Sequence, residues 1–151
     1  MLDEYTRLVT GDYLPAFEMV ILEGERLNSG SLKGKSVLMH FFIISCPHCI
    51  KSFKMLERIR ENLKGEDGLL LISLGRGHSA EELEIFKEGN TLDISLAPDP
   101  DRSIYNRFAK SKVPRCYLFS KKGRLLFQVR GADENSYNQM EQLLKEDLAA
   151  G

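Results

Sequence analysis

The chemistry in this chain is concentrated in sulfur. Three cysteines occur in 151 residues, and two of them stand together as Cys46-Pro47-His48-Cys49. A Cys-x-x-Cys pair serves reversible thiol–disulfide exchange, half of a zinc site, or a short structural crosslink. Zinc needs four ligands, and Cys116, His40, His48 and His78 are the only soft candidates left, with no second paired motif. A crosslink over one turn closes too short a loop to stabilise much. Redox exchange is the reading that remains. Cys46 comes just after an apolar run and opens a helical stretch, where unpaired backbone N–H groups and the helix dipole favour a thiolate. Thiolate is the attacking species, so Cys46 is the nucleophile and Cys49, one turn later, the resolving residue. Pro47 suits the first helical turn, which has no N–H partner to lose. Lys51 and Lys54 precede the first acid, Glu57, and His48 adds a donor or a positive charge beside the sulfur. A thiolate held this way stabilises the reduced form and makes the couple more oxidising.

Several elements are needed to position that pair. Residues 37–44 form a near-continuous apolar run, the pattern of a central strand buried on both faces. Ile50, Phe53, Leu56, Ile59 and Leu63 then recur at three- and four-residue spacing, one helical stripe ending at Gly65. A second buried strand is predicted over 69–74, followed by a turn at Gly75-Arg76-Gly77 and a loop residue, His78. Ser79 caps a helix with Glu81 and Glu82 in its first turn, and a short strand covers 94–97. Asp101 is predicted to cap a helix carrying Ile104, Tyr105 and Phe108. The end reads as strand 116–119, a Lys121-Lys122-Gly123 turn, strand 125–129 and a helix over 133–148. Upstream, 17–21 and Arg26-Leu27 make a hairpin around Gly24, and Leu2, Tyr5, Leu8 and Val9 suggest a short helix. Alternating strands and helices imply a mainly parallel sheet with helices on both faces, the late hairpin adding antiparallel edge strands.

Composition narrows the class further. Lys+Arg number 21 against 22 Asp+Glu, with 42% hydrophobic and 28% charged residues. Such a balance excludes a disordered tail and gives no electrostatic footprint for nucleic acid. The longest apolar run falls far short of the ~20 residues that a bilayer span requires. Residues 1–10 carry Asp3, Glu4 and Arg7 and lack the apolar stretch of a signal peptide.

Taken together, the motifs resemble the thioredoxin-fold superfamily, and most of all the TlpA/ResA-type thiol-disulfide oxidoreductases that border on the AhpC/TSA peroxiredoxin group. The matching pieces are Pro15-Ala16-Phe17, Leu32-Lys33-Gly34-Lys35, Phe41-Phe42 with the Cys46–Cys49 tetrad, Val113-Pro114, and the turn Lys121-Lys122-Gly123-Arg124. They span residues 15–131 in order. The resemblance implies an α/β thioredoxin-like domain over 15–151. Its central mixed sheet would be flanked by helices on both faces, with an N-terminal β-hairpin extension and residues 1–14 as a leading segment. It implies that Pro114 is cis and faces the cysteines, with Val113 and Pro47 contacting the substrate chain. Three departures stand out. His40 replaces the buried acid of thioredoxins, as a relay for the Cys49 proton or as a satisfied core residue. Ser45 replaces a Trp, and Ser52 stands where ResA-like proteins carry Glu, which argues against specialised cytochrome c maturation. The tetrad itself matches DsbA, a strong oxidant, whose inserted helical domain has no room here.

The expected activity is disulfide exchange with protein thiols, through Cys46, Cys49, His48 and Pro114 and without a cofactor. The direction of electron flow is open. The family's usual role implies a monomer outside the cytoplasm, in the periplasm, taking electrons from a membrane thiol transporter; a cytoplasmic site is the alternative. Two other activities stay open. One is a peroxiredoxin-like thiol peroxidase, although Ile43 occupies the position of that group's Thr or Ser. The other is a copper-handling module using both cysteines and a histidine. Cys116 is read as a small core residue.

Overall fold

Residue 40 and its neighbours show why the sheet is built as it is. All seven residues of β3 (Ser36–Phe42) are buried, and the strand lies third of five in a sheet. In the computed structural model, which describes residues 4–150, the order is β5-β4-β3-β6-β7. The strands β3, β4 (Leu69–Arg76) and β5 (Ser95–Asp99) run parallel. Antiparallel β6 (Arg115–Phe119) and β7 (Leu125–Arg130) complete the other side. The late hairpin therefore does not supply two edge strands: β6 pairs with both β3 and β7, so of its two strands β7 alone lies at an edge, and β5 forms the opposite edge.

The helices distribute unevenly over the two faces. From β3 to β4 to β5 the chain steps sideways twice in the same direction. Right-handed crossovers then place both connecting helices, α1 (Pro47–Asn62) and α2 (Ala80–Asn90), on one face. There they share a core with Tyr137, Met140 and Leu144 of α4 (Glu134–Ala149), against Leu38, Phe42, Leu96 and Leu118 of the sheet. The helix α2 sits close, since a Cβ at Gly75 would come within 2.5 Å of Leu83 Cδ2. A separate antiparallel hairpin covers the opposite face, β1 (Glu18–Val20) with β2 (Arg26–Asn28), joined by a short 3₁₀ turn and the one-turn α3 (Tyr105–Phe108).

Two local expectations change. Of the suggested N-terminal helix, Leu2 lies outside the described residues, and residues 4–14 form no helix. Instead Thr6 bridges to Ala109 and Tyr13 to Arg124, whose guanidinium lies 4.0 Å from the Tyr13 ring centroid. The segment before α3 is capped by Asp99 rather than Asp101. The buried Asp99 carboxylate accepts the N–H groups of Ile104 at 3.1 Å and Tyr105 at 2.8 Å, while Asp101 accepts only from Ser103. Asp99→Ala orphans both donors and should cost about 1–3 kcal/mol in a urea titration, whereas Asp101→Ala, at an exposed site, should cost clearly less.

Candidate active site

The chain leaves β3 at the C-terminal edge of the parallel strands, where loops in such sheets collect functional groups. Cys46 has extended backbone angles and caps α1: its Sγ accepts the Cys49 N–H at 3.3 Å. A sulfur in this position receives one of the donors that every helix start leaves unpaired, and the dipole adds to it. Pro47 occupies the exposed beginning of the first turn, where the lack of an N–H costs nothing. Cys46 is half-buried and Cys49 fully buried, and both are free thiols. Burial first, and then the bond to the Cys46 sulfur, push the Cys49 thiol well above its usual range.

Opposite Cys46 stands the loop ahead of β6. The Cys46 Sγ is 4.0 Å from the carbonyl oxygen of Val113, and the Val113–Pro114 peptide is cis. Arg115, 2% exposed, holds this loop from below. Its guanidinium donates to the Ser111 carbonyl at 2.8 and 3.0 Å and to the Lys112 carbonyl at 3.1 Å. Tyr105 donates its hydroxyl proton to the same Lys112 carbonyl. Between the loop and the exposed His48 runs an open groove of about 300 Å³, lined also by Val113, Pro114, Arg130 and Gly131. Hollows of about 410 and 470 Å³ lie elsewhere, the first between the β1–β2 hairpin and the end of β5, the second around Tyr13 and Lys33; neither is lined by a cysteine.

Behind Cys49, three polar side chains from three elements meet in the core. His40 Nε2 is 2.7 Å from Ser52 Oγ, and Nδ1 is 3.0 Å from Ser73 Oγ. Ser52 in turn donates to the Cys49 carbonyl at 2.8 Å. Ser52 has one proton, so with that proton on the carbonyl the imidazole must donate through Nε2 and accept from Ser73 through Nδ1. Complete burial drives the His40 pKa from 6.5 down to about 3, and the ring stays neutral between Phe42 and Phe53. His40 thus reaches Cys49 at its carbonyl, through Ser52. Cys116 pairs in register with His40 on β6, is wholly buried, and has its thiol pushed up by that burial.

Sequence reasoning read His78 only as a loop residue and did not name Arg115, yet both build the site. His78 accepts the Ile44 N–H on Nε2 at 2.9 Å, and its Nδ1 faces Glu82 Oε2 at 3.5 Å. It thereby ties α2 to the loop two residues ahead of Cys46. The turn expected over Gly75-Arg76-Gly77 is confined to Gly77, because Gly75 and Arg76 still pair in the sheet as the last residues of β4, and His78 follows directly at the strand's C-terminal end. Arg115 was betrayed only by being a charge inside an apolar strand. Among the described residues, no group of three or more His, Cys, Asp or Glu side chains converges on a metal position. No helix among them is long and apolar enough to cross a membrane.

The mixed five-stranded sheet, with a cysteine pair at the start of α1 facing the Val113–Pro114 loop, defines a thioredoxin-like protein. No family model matches the chain. It is nevertheless 26% identical over 139 residues to the thiol-disulfide oxidoreductase ResA of Bacillus thuringiensis (strain Al Hakam), covering 92% of this chain and 79% of that protein. It is 29% identical over 121 residues to the thiol-disulfide oxidoreductase YkuV of Bacillus subtilis (strain 168), covering 76% and 80%. The solution structure of a candidate protein disulfide isomerase from Bacteroides thetaiotaomicron matches with a TM-score of 0.91 over 97% of this chain and 94% of its own, at 23% identity, a likeness of fold. Fold and relatives together make this chain a thioredoxin-fold protein similar to thiol-disulfide oxidoreductases of the ResA and YkuV kind.

Proposed function

We propose that the chain exchanges disulfides with protein partners through Cys46 and Cys49. In the reducing direction the Cys46 thiolate attacks a substrate disulfide. One substrate sulfur leaves with the electron pair and takes a proton, while the other stays bonded to Cys46. Cys49 then gives up its proton and attacks the Cys46 sulfur, the bond between the two cysteines forms, and the second substrate sulfur leaves and is protonated. Two electrons have passed from the pair to the substrate, and the same steps reversed oxidise a dithiol.

The observation that carries this reading is the asymmetry of the pair. Cys46 is half-exposed at the helix start and faces the Val113 carbonyl, while Cys49 lies buried one turn behind it. An attacking sulfur needs access; a resolving sulfur needs only to reach its neighbour. In this reading Val113 and Pro114 hold the substrate chain by backbone pairing, His48 and Pro47 flank it, and His40 steadies the first turn of α1 through Ser52. Through Ser52, His40 reaches the Cys49 carbonyl and not its sulfur, so in this reading it positions the first turn of α1 and does not relay the thiol proton. The resemblance to TlpA/ResA-type proteins favours a monomer at work outside the cytoplasm, with a membrane thiol transporter as electron donor.

Cys49→Ser tests the order of events. It removes the resolving sulfur, so a disulfide-bearing peptide should accumulate as a covalent adduct on Cys46, stable until a reductant is added and visible by intact mass and peptide mapping. Adduct formation on Cys116, or none at all, contradicts the assignment.

A further inference from the structure

Given the roles proposed for Cys46 and Val113, on which this inference rests, a substrate chain must lie along the groove of about 300 Å³ beside them. His48 and Lys112 line that groove together with Arg130, and its other lining residues, Val113, Pro114, Gly131 and Ala132, carry no side-chain charge. Lys51 stands exposed one turn beyond Pro47 on α1. No carboxylate lines the groove, and the two that follow Ala132 in the chain are engaged elsewhere. Asp133 accepts the Ser136 N–H at 3.0 Å and its hydroxyl at 2.6 Å, and Glu134 pairs with Arg58 at 3.5 Å. In a chain of net charge -1, the place where a substrate meets Cys46 is locally positive.

Lys112 carries a second, independent mark. Its φ of 78° lies in the left-handed region that favours glycine, so a lysine there is strained. The strain is held in place by the Lys112 carbonyl, which accepts from both Arg115 and Tyr105. Backbone strain fixed in this way collects at functional sites. Glycine would serve stability at this position; what the lysine adds is an exposed charge on a rigid base. Among the described residues no acid pairs with its ammonium, which lies 5.4 Å from the Tyr5 ring centroid. We infer that the groove selects polypeptide substrates with Asp or Glu beside the reacting cysteine, and that Lys112 reads that charge. Backbone pairing at Val113 is blind to sequence, so complementary charge next to it supplies the preference and speeds the encounter. Exposed charges are screened, and the preference must therefore weaken with salt.

Two peptides of one sequence, with either Asp or Lys on both sides of a single cysteine, are joined through that cysteine to 2-thiopyridine, an uncharged chromophore. The Cys46 thiolate attacks the peptide sulfur and bonds to it, and the thiopyridine leaves with the electron pair, which reads the rate by absorbance. Each rate is divided by that of mercaptoethanol with the same peptide, which removes the peptide's own reactivity. The reduced wild-type protein should favour the acidic peptide by about tenfold at low salt and lose most of that preference in about 0.5 M salt. Lys112→Gly, which suits the backbone angle, should cut the preference to about threefold or less, and Lys112→Glu should abolish or invert it. Taking the ratio of the two peptides within one protein cancels any general effect of the substitution on the cysteines. Equal rates in the wild type, a preference that ignores salt, or one unchanged in both Lys112 variants overturns the inference while leaving Cys46 as the nucleophile. A wild type that reacts with neither peptide overturns that assignment, and the inference with it.

Discussion

Cys46→Ser should bring disulfide exchange to the uncatalysed background, a loss of at least roughly a thousandfold, while the fold and melting temperature stay close to wild type. The size of the effect follows from chemistry rather than packing. A serine hydroxyl is not ionised near neutral pH, and its oxygen cannot form the sulfur–sulfur bond on which turnover depends. The small structural effect follows from the cap. Cys46 Sγ accepts the Cys49 N–H, and serine is among the best residues at a helix N-cap, so the first turn of α1 keeps its partner. Insulin reduction with a thiol donor gives the activity, and a thermal melt gives the fold. Retention of more than a few per cent of the exchange rate by Cys46→Ser would place the nucleophile elsewhere. The peroxidase and copper activities that the sequence leaves open would also run through Cys46, so it is Cys49→Ser, with its trapped peptide, that separates exchange from them.

A second large effect belongs to His40. Its folded pKa is about 3 against 6.5 in the ordinary state, because burial excludes the charged form. Between those values the unfolded chain takes up a proton that the folded protein refuses. The stability from His40 is therefore complete above pH 6.5 and drains away as the pH falls, levelling only below about 3. At pH 4 the loss amounts to about 3 kcal/mol, a large share of a small domain's stability. Other groups act lower in the window. Glu82, Asp101 and Asp133 have carboxyl pKa values lowered by bonds from Ser79, Ser103 and Ser136, and what they contribute is lost only as the carboxylate range is crossed. Urea titrations from pH 7.5 to 4 should show steady loss for wild type. His40→Gln, which cannot titrate, should be less stable at neutral pH and nearly flat above pH 5. Parallel curves for the two proteins would mean that His40 is not held neutral by its burial.

The parts of this structure legible in the sequence were those set by local pattern. Residues buried on both faces made β3 readable as a central strand, and the stripe of Phe53, Leu56 and Ile59 identified α1 and its inner face. The active pair was legible because a cysteine at the junction of strand and helix has a chemical consequence that does not depend on long-range contacts. What stayed hidden was set by register. His40 stands level with Ser73 on β4 and with Cys116 on β6, and only strand pairing brings those residues together. Ser52 looks like a polar interruption of a helix until His40 is seen beneath it. His78 looks like a loop residue until its imidazole is found on the Ile44 N–H. The cap assigned to Asp101 failed for a similar reason: the chain turns back on itself after β5, and Asp99, two residues earlier, faces the exposed amides.

The claim on which the account depends is that positions 46 and 49 open and close as a pair while the third sulfur stays apart. Equilibrating the protein across a glutathione redox series, quenching with an alkylating label after unfolding, and mapping the labelled peptides measures this directly. Cys46 and Cys49 should lose their label together along one two-electron curve, with Cys116 labelled at every potential. A curve that involves Cys116, or two cysteines that remain labelled through the whole series, would contradict it.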